Sequence, residues 1–457
     1  MKIIGKVVMF ALLAGCGDDA RLVAEARRIK ADGTSSTTLT FHADQPDGTA
    51  VYFETDHGHF LDDGYEVETV TRSIASGQAS IELYSSIYPG VATVLANTDM
   101  GDAASVTVEF VAMRPSGRVL SFECDAVNIG ALVQPVPDHA VPCHLVMQDR
   151  DGASIDPRSL PPGDFGFIAE AGQIQPAVVD DGYGNVYFLY TTRGGGSAPL
   201  DVEPIEQEPS RAGDTGGTRN PRDGLVTLVA WVRGEEGFHD INSNGLFEPS
   251  QGETFTDVGE PFVDVDDDGV FDPGSGDTYQ DVDGNGRYTD ANGTWDEDAV
   301  IWAAFKILWT GTVHQSSTTS RMELQGGPEL RSGATSDLAV YLLDQNINPL
   351  AATSDDSLTL SVDNSYALMV PYTFTLSSTR GFEVDSHGRV TGHFETPLFR
   401  ASITNTNTYP DPATARFTAS AYVTPAPMLS DGTTPYQTTV ELSPYEVQLL
   451  GDPSGGE

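Results

Sequence analysis

The sequence predicts an all-β protein, and three observations carry the prediction. Short alternations of Val, Ile, Leu, Thr, Tyr and Phe recur along the 457 residues, bounded by Gly, Asp, Asn or Pro. Glycine and proline, at 47 and 28 residues, exceed ordinary usage and supply turns between those runs. No long run shows the 3.6-residue periodicity of an amphipathic helix. At roughly 100 to 200 residues per domain, the length accommodates about three units, each able to bury a core.

The opening MKIIGKVVMFALLAGCGDD has a basic start (Lys2, Lys6), an apolar run from Val7 to Leu13 and small residues before Cys16. The run is too short to span a hydrocarbon core of ~30 Å, so it reads as a secretion signal. Leu13-Ala14-Gly15-Cys16 resembles a bacterial lipobox. The resemblance implies a signal peptide over 1–15, acylation of Cys16 as a membrane anchor and a linker over 16–21. Two acyl chains hold stably where one is marginal. The expected location is the cell envelope, at the outer membrane or cell surface. Cys124 and Cys143 then remain as an even pair in an oxidising compartment, free to bridge neighbouring strands or to stay buried as thiols.

A first unit spans 22–113. Leu39, Phe41, Val51 and Phe53 fall at period two, as do Ile81 with Leu83 and Val106 with Val108 and Phe110, so each run has one core-facing side. Asp47-Gly48 marks a turn between two such runs. This is a sandwich pattern. The ADG near its start, DGTAVYFETDHGHF, GQASIELYSS and PGVATVLA resemble the bacterial immunoglobulin-like (Ig-like) domains of the invasin and intimin type. That resemblance implies a rigid, non-enzymatic stalk module in a structural or adhesive protein.

A second unit is expected over 117–314. CHLVMQDRDGASID and FGFIAEAGQI repeat the strand-turn-strand rhythm, and LVTLVAWVR (225–233) can pair with VIWAAFKILW (300–309). A Gly/Pro/Ser/Glu-rich stretch from Gly194 to Gly224 reads as a long loop. Residues 238–298 become an insertion at a hairpin tip. A third sandwich is expected over 315–452, from LAVYLLD, LTLSVD, YTFTLSS, FRASITN, ARFTASAYV and TTVELSPYEVQLL.

The formal net charge is 24 − 67 = −43, and only four lysines occur: Lys2, Lys6, Lys30 and Lys306. A phosphate-binding face needs basic residues, so nucleic acid is excluded as a partner, and an anionic membrane surface is disfavoured. Residues 239–298 hold 17 of the 67 acids and one basic residue, Arg287. Three segments there share a register, starting at Asp240, Asp264 and Asp281. Oxygen-bearing side chains occupy positions 1, 3 and 5: Asp240, Asn242 and Asn244; Asp264, Asp266 and Asp268; Asp281, Asp283 and Asn285. Glycine occupies position 6 and an aromatic position 8. Calcium takes six to eight oxygens, and position 7 offers its carbonyl, so Leu246, Val270 and Arg287 are free in side chain. Glu248 and Asp272 stand at position 9.

The pattern resembles the calcium loops of dockerin modules and thrombospondin type 3 repeats. It departs from the EF-hand at position 12, where Gln251, Ser275 and Asn292 stand in place of glutamate. Glu253, Asp277 and either Asp290 or Asp296 are the acids expected to close the loops. DANGTWD, from Asp290 through Asn292 to Asp296, reads as a fourth, partial loop. The expected cofactor is calcium, in a structural role, with docking of a surface protein or glycan through 238–298 as the alternative. His57 and His59 read as turn residues, and no catalytic motif or small-molecule substrate site is evident, so no enzymatic activity is expected.

Overall fold

The computed structural model describes residues 20–133, 139–180, 185–192, 224–242, 244–265, 267–274, 276–316, 319–344, 346, 348–378, 382–384, 390–393, 398–426 and 436–454. Cys16 and the signal, Asp266, Ser275 and most of the 194–224 stretch lie outside them. The described chain is all-β, with 3-10 turns at Pro157–Ser159 and Pro249–Gln251. None of its helices is long and apolar enough to cross a membrane.

The chain divides into two compact units. The first comprises residues up to Val119 together with Met147–Ser159. A three-stranded sheet (Arg21–Ala24, Ser36–His42, Gln78–Tyr84) and a five-stranded sheet (Arg28–Lys30, Ala103–Val111, Gly90–Thr98, Ala50–Thr55, Thr69–Ser73) enclose one core. Leu39, Phe41 and Leu83 from one sheet meet Val51, Phe53, Val108 and Phe110 from the other. All seven are at most 1% exposed, as period-two alternation requires. Met147–Ser159, read from the sequence with the second unit, belongs here. Asp149 accepts the Met113, Asp151 and Ala153 N–H groups at 2.7, 3.0 and 2.8 Å, and Ala153 packs in the first core.

The second unit holds two sandwiches. In one, the sheet Ser121–Cys124, Ala140–Val146, Asn185–Thr191, Gln173–Asp180 faces the sheet Asn128–Ile129, Ala299–Trp309, Leu225–Gly234, Phe165–Ala169. Phe122 and Phe188 from the first meet Phe167 and Phe305 from the second. Cys124 lies directly opposite Cys143 on adjacent antiparallel strands, and the two form a disulfide. By loop-closure entropy the bridge contributes about 3 kcal/mol. Replacing both cysteines with serine is expected to lower the thermal midpoint of this sandwich and leave that of the first unit in place, read by scanning calorimetry.

In the other sandwich, Leu338, Val340 and Ile403 of one sheet pack against Leu358, Leu360, Phe417 and Val447 of its partner. Asp344 repeats the Asp149 arrangement, accepting the Gly311, Asn346 and Asn348 N–H groups at 2.9, 2.8 and 3.0 Å. Asp344 thus ties the segment entering this sandwich to a turn after one of its strands.

Leu225–Gly234 and Ala299–Trp309 pair antiparallel from Leu225 opposite Leu308 to Gly234 opposite Ala299. The insertion is therefore the connection of that hairpin. It does not project as a free tip. Leu225–Gly234 is buried on both faces, with eight consecutive buried residues. Phe305 marks the inner face. On the outer face Trp231 lies opposite Trp302, and Thr227 opposite Lys306. The insertion folds back over this outer face. Trp302 contacts Phe262 (ring centroids 5.6 Å apart) and donates its Nε1–H to the Gly259 carbonyl at 3.1 Å. Gly166 sits beneath Trp231, where a Cβ would come within 2.7 Å of the ring, so only glycine fits.

Candidate metal centre

The insertion is built from four short segments with one pattern, acid-x-aromatic-x-Asp. They are Glu236 to Asp240 around Phe238, Glu253 to Asp257 around Phe255, Glu260 to Asp264 around Phe262, and Asp277 to Asp281 around Tyr279. They pair antiparallel, two and two: Phe238 opposite Phe255, and Phe262–Val263 opposite Thr278–Tyr279.

Each pair carries two loops of one geometry. In the first loop, Asp240 accepts the Asn244 and Gly245 N–H groups at 3.2 and 2.7 Å, and Asn244 Oδ1 accepts the Leu246 N–H at 2.8 Å. Glu253 closes it by accepting the Ile241 and Glu248 N–H groups at 3.1 and 2.7 Å. The second loop repeats this, with Asp264 accepting from Asp268 and Gly269, Asp268 from Val270, and Asp277 from Val265 and Asp272. In the third, Asp281 accepts from Gly286 and Asn285 from Arg287. The acid that closes it is Glu260, accepting from Val282 and Thr289 at 2.8 and 3.0 Å. Neither Asp290 nor Asp296 does so, because the antiparallel partner of the Asp281 segment brings Glu260 alongside.

Asp290, Asn292 and Asp296 belong to a fourth loop that is split in sequence. Its first carboxylate is Asp257, which accepts the Asn292 and Gly293 N–H groups at 3.2 and 2.6 Å, and Asn292 Oδ1 accepts the Thr294 N–H at 2.7 Å. Glu236 closes it, accepting from Val258 and Asp296, both at 3.0 Å. Position 6 is left-handed in all four loops: Gly245 (φ 72°), Gly269 (75°), Gly286 (74°) and Gly293 (79°). That conformation favours glycine and turns the chain inward.

The position-8 aromatics pair the loops. Phe247 of the first and Trp295 of the fourth pack with Phe238 and Phe255. Phe271 of the second stacks on Tyr288 of the third at 4.1 Å, with Phe262 and Tyr279 beside them. The insertion's aromatics therefore gather in two separate clusters. Leu246 and Val270 point outward, 63% and 62% exposed, and Arg287 is exposed.

The four closing acids are buried: Glu236 is 1% exposed, and Glu253, Glu260 and Asp277 are each 5% exposed. Carboxylates are rarely buried without a charge partner. Burial pushes the Glu236 carboxyl above its ordinary range despite two N–H donors, and Asp257 and Asp296 add to the push. One oxygen from each of Glu260, Asp281 and Asp283 lies within 4.8 Å of the others. The donor set is oxygen alone, from carboxylates, amides and carbonyls, and that chemistry fits a hard divalent cation.

Glu236, Asp257 and Glu260 were not among the residues expected from spacing. The fourfold acid-x-aromatic-x-Asp repeat is the signal that finds them. His57 and His59 have separate partners: His57 Nε2 lies 2.8 Å from the Tyr88 carbonyl oxygen, and His59 stacks on Tyr84. Trp309 donates to the Tyr190 hydroxyl at 3.1 Å inside the disulfide-bonded sandwich.

These sheets define an all-β chain of tandem Ig-like sandwiches, one of which carries an acidic insertion. No family model matches the chain, and no curated protein matches it. Among solved structures, invasin, a bacterial integrin-binding protein, aligns over 93% of this chain and 60% of its own, with a TM-score of 0.30 and 12% identity. An Escherichia coli adhesin aligns over 94% and 96%, with a TM-score of 0.27 and 10% identity. A set of titin domains aligns over 93% and 98%, with a TM-score of 0.27 and 9% identity.

Proposed function

We propose that the protein is a surface-displayed structural or adhesive lipoprotein, held to the membrane by acylated Cys16, in which calcium stabilises the middle sandwich. The observation that carries the calcium reading is the fourfold recurrence of one oxygen cradle, each closed by a buried acid. Calcium would be held by Asp240, Asn242, Asn244, the Leu246 carbonyl, Glu248 and Glu253 in the first loop. In the second, Asp264, Asp266, Asp268, the Val270 carbonyl, Asp272 and Asp277 would hold it. Asp281, Asp283, Asn285, the Arg287 carbonyl and Glu260 serve the third. Asp257, Asp290, Asn292, Asp296 and Glu236 serve the fourth. The bound ions would offset carboxylate repulsion and so drive local folding.

Calorimetric titration tests this, with an expected uptake of four ions per chain. Asp281→Asn with Asp283→Asn, both at the third loop, should lower the uptake, and no heat at millimolar calcium would sink the reading. The anchor is tested by intact mass: mature protein without acyl mass would remove it.

Docking through 238–298 is favoured by one feature, a cavity of about 390 Å³ lined by Phe262, Phe271, Tyr288 and Trp302 beside Asp257 and Asp290. Calcium-dependent binding on a glycan array, lost in Tyr288→Ala, is the result that reading expects.

A further inference from the structure

Lys306, the lone lysine beyond residue 30, is fully buried on the outer face of Ala299–Trp309. Its ammonium donates to the Asp264 carbonyl at 2.7 Å, lies 3.5 Å from Asp264 Oδ2 and pairs closely with the Asp267 carboxylate. Thr227 Oγ1, from the paired strand, donates to the same Asp264 carbonyl at 2.8 Å. Asp267 is itself fully buried, with a left-handed φ of 58°. The buried ammonium thus faces two carboxylates and a carbonyl oxygen inside the fold.

The loops differ in what anchors them. The second loop is pinned to the sheet by this cation, and Asp264, Val265, Asp267 and Asp277 are all at most 5% exposed. In the first and third loops the bonds described above run within the insertion, and Asn242, Asn244, Asp283 and Asn285 are exposed. We propose that Lys306 is a resident cation that docks the second loop on the sandwich before any metal binds, making it the nucleus from which the rest of the insertion orders. An ammonium fixed on a strand supplies positive charge at no translational cost, and its desolvation is already compensated by two carboxylates. The metal-dependent contrast rests on the calcium reading; the docking itself does not.

Hydrogen exchange read by mass spectrometry on the full chain, with calcium and with chelator, tests this. In chelator, the second-loop amides of Val265, Asp268 and Gly269 should exchange at least tenfold more slowly than Ile241, Asn244 and Gly245 of the first loop and Val282 and Gly286 of the third. Lys306→Met should remove that difference, and Asp267→Asn should reduce it. Equal exchange in all three loops in chelator overturns the proposal, as does a slow second loop in Lys306→Met. Equal exchange of the first and third loops with and without calcium would instead overturn the calcium reading, and it is read from different amides.

Discussion

On the proposed calcium reading, Glu253→Gln is expected to lower the uptake by two ions, not one. Glu253 closes the first loop, but its segment also supplies Asp257, the first carboxylate of the fourth. That segment is held by pairing Phe255 with Phe238, whose own segment carries Glu236 and Asp240. Each segment therefore gives one ligand to each loop of its pair, and loosening one loop unbuilds half of the other. The shared packing of Phe247 and Trp295 works the same way. A site filled at a hundred times its Kd contributes about 2.7 kcal/mol, so losing both is worth about 5 kcal/mol to the sandwich beneath. Calorimetric stoichiometry falling from four to two, with a lower calcium-dependent melting temperature, is the expected result. A fall to three would show that the loops act singly.

Lys306→Met is expected to destabilise the disulfide-bonded sandwich by about 3 to 5 kcal/mol, the range for breaking a buried ion pair by removing one partner. The cost arises from what remains: Asp267 fully buried, with its closest cation gone. The double variant Lys306→Met with Asp267→Asn should recover much of the loss, because no buried charge is left behind and asparagine tolerates a left-handed φ. A double-mutant cycle in calcium-free urea measures the coupling. Strictly additive single effects would show that the pair is not coupled. Stability should be insensitive to salt at this pair, since a fully buried ammonium is little screened.

Much of the architecture was legible because its determinants are local. Alternation at Leu39, Phe41, Val51 and Phe53 needs only the two-residue repeat of a strand, and those side chains are the core of the first unit. The predominantly apolar runs 225–233 and 300–309 marked two strands able to pair, and they do so along their length. The glycine at position 6 of the first three loops was equally readable, since a left-handed turn there favours glycine. What covers those strands was not readable. Nothing in the alternation says that an acidic insertion folds back over Trp231, Trp302 and Lys306.

The sequence by itself determined the fold class, the turn glycines and three oxygen-rich loops, because each depends on residues within about ten positions of one another. Only the tertiary structure decided which acid closes which loop. Antiparallel pairing of Phe238 with Phe255 and of Phe262 with Tyr279 carries Glu236 and Glu260 to loops far along the chain, and a fourth loop is assembled from Asp257 with Asn292 and Gly293. The same folding turns Lys306 from an isolated charge in an apolar strand into the counter-ion of Asp267. Spacing along a chain encodes what one turn can bring together, whereas a buried charge finds its partner only when separate elements pack.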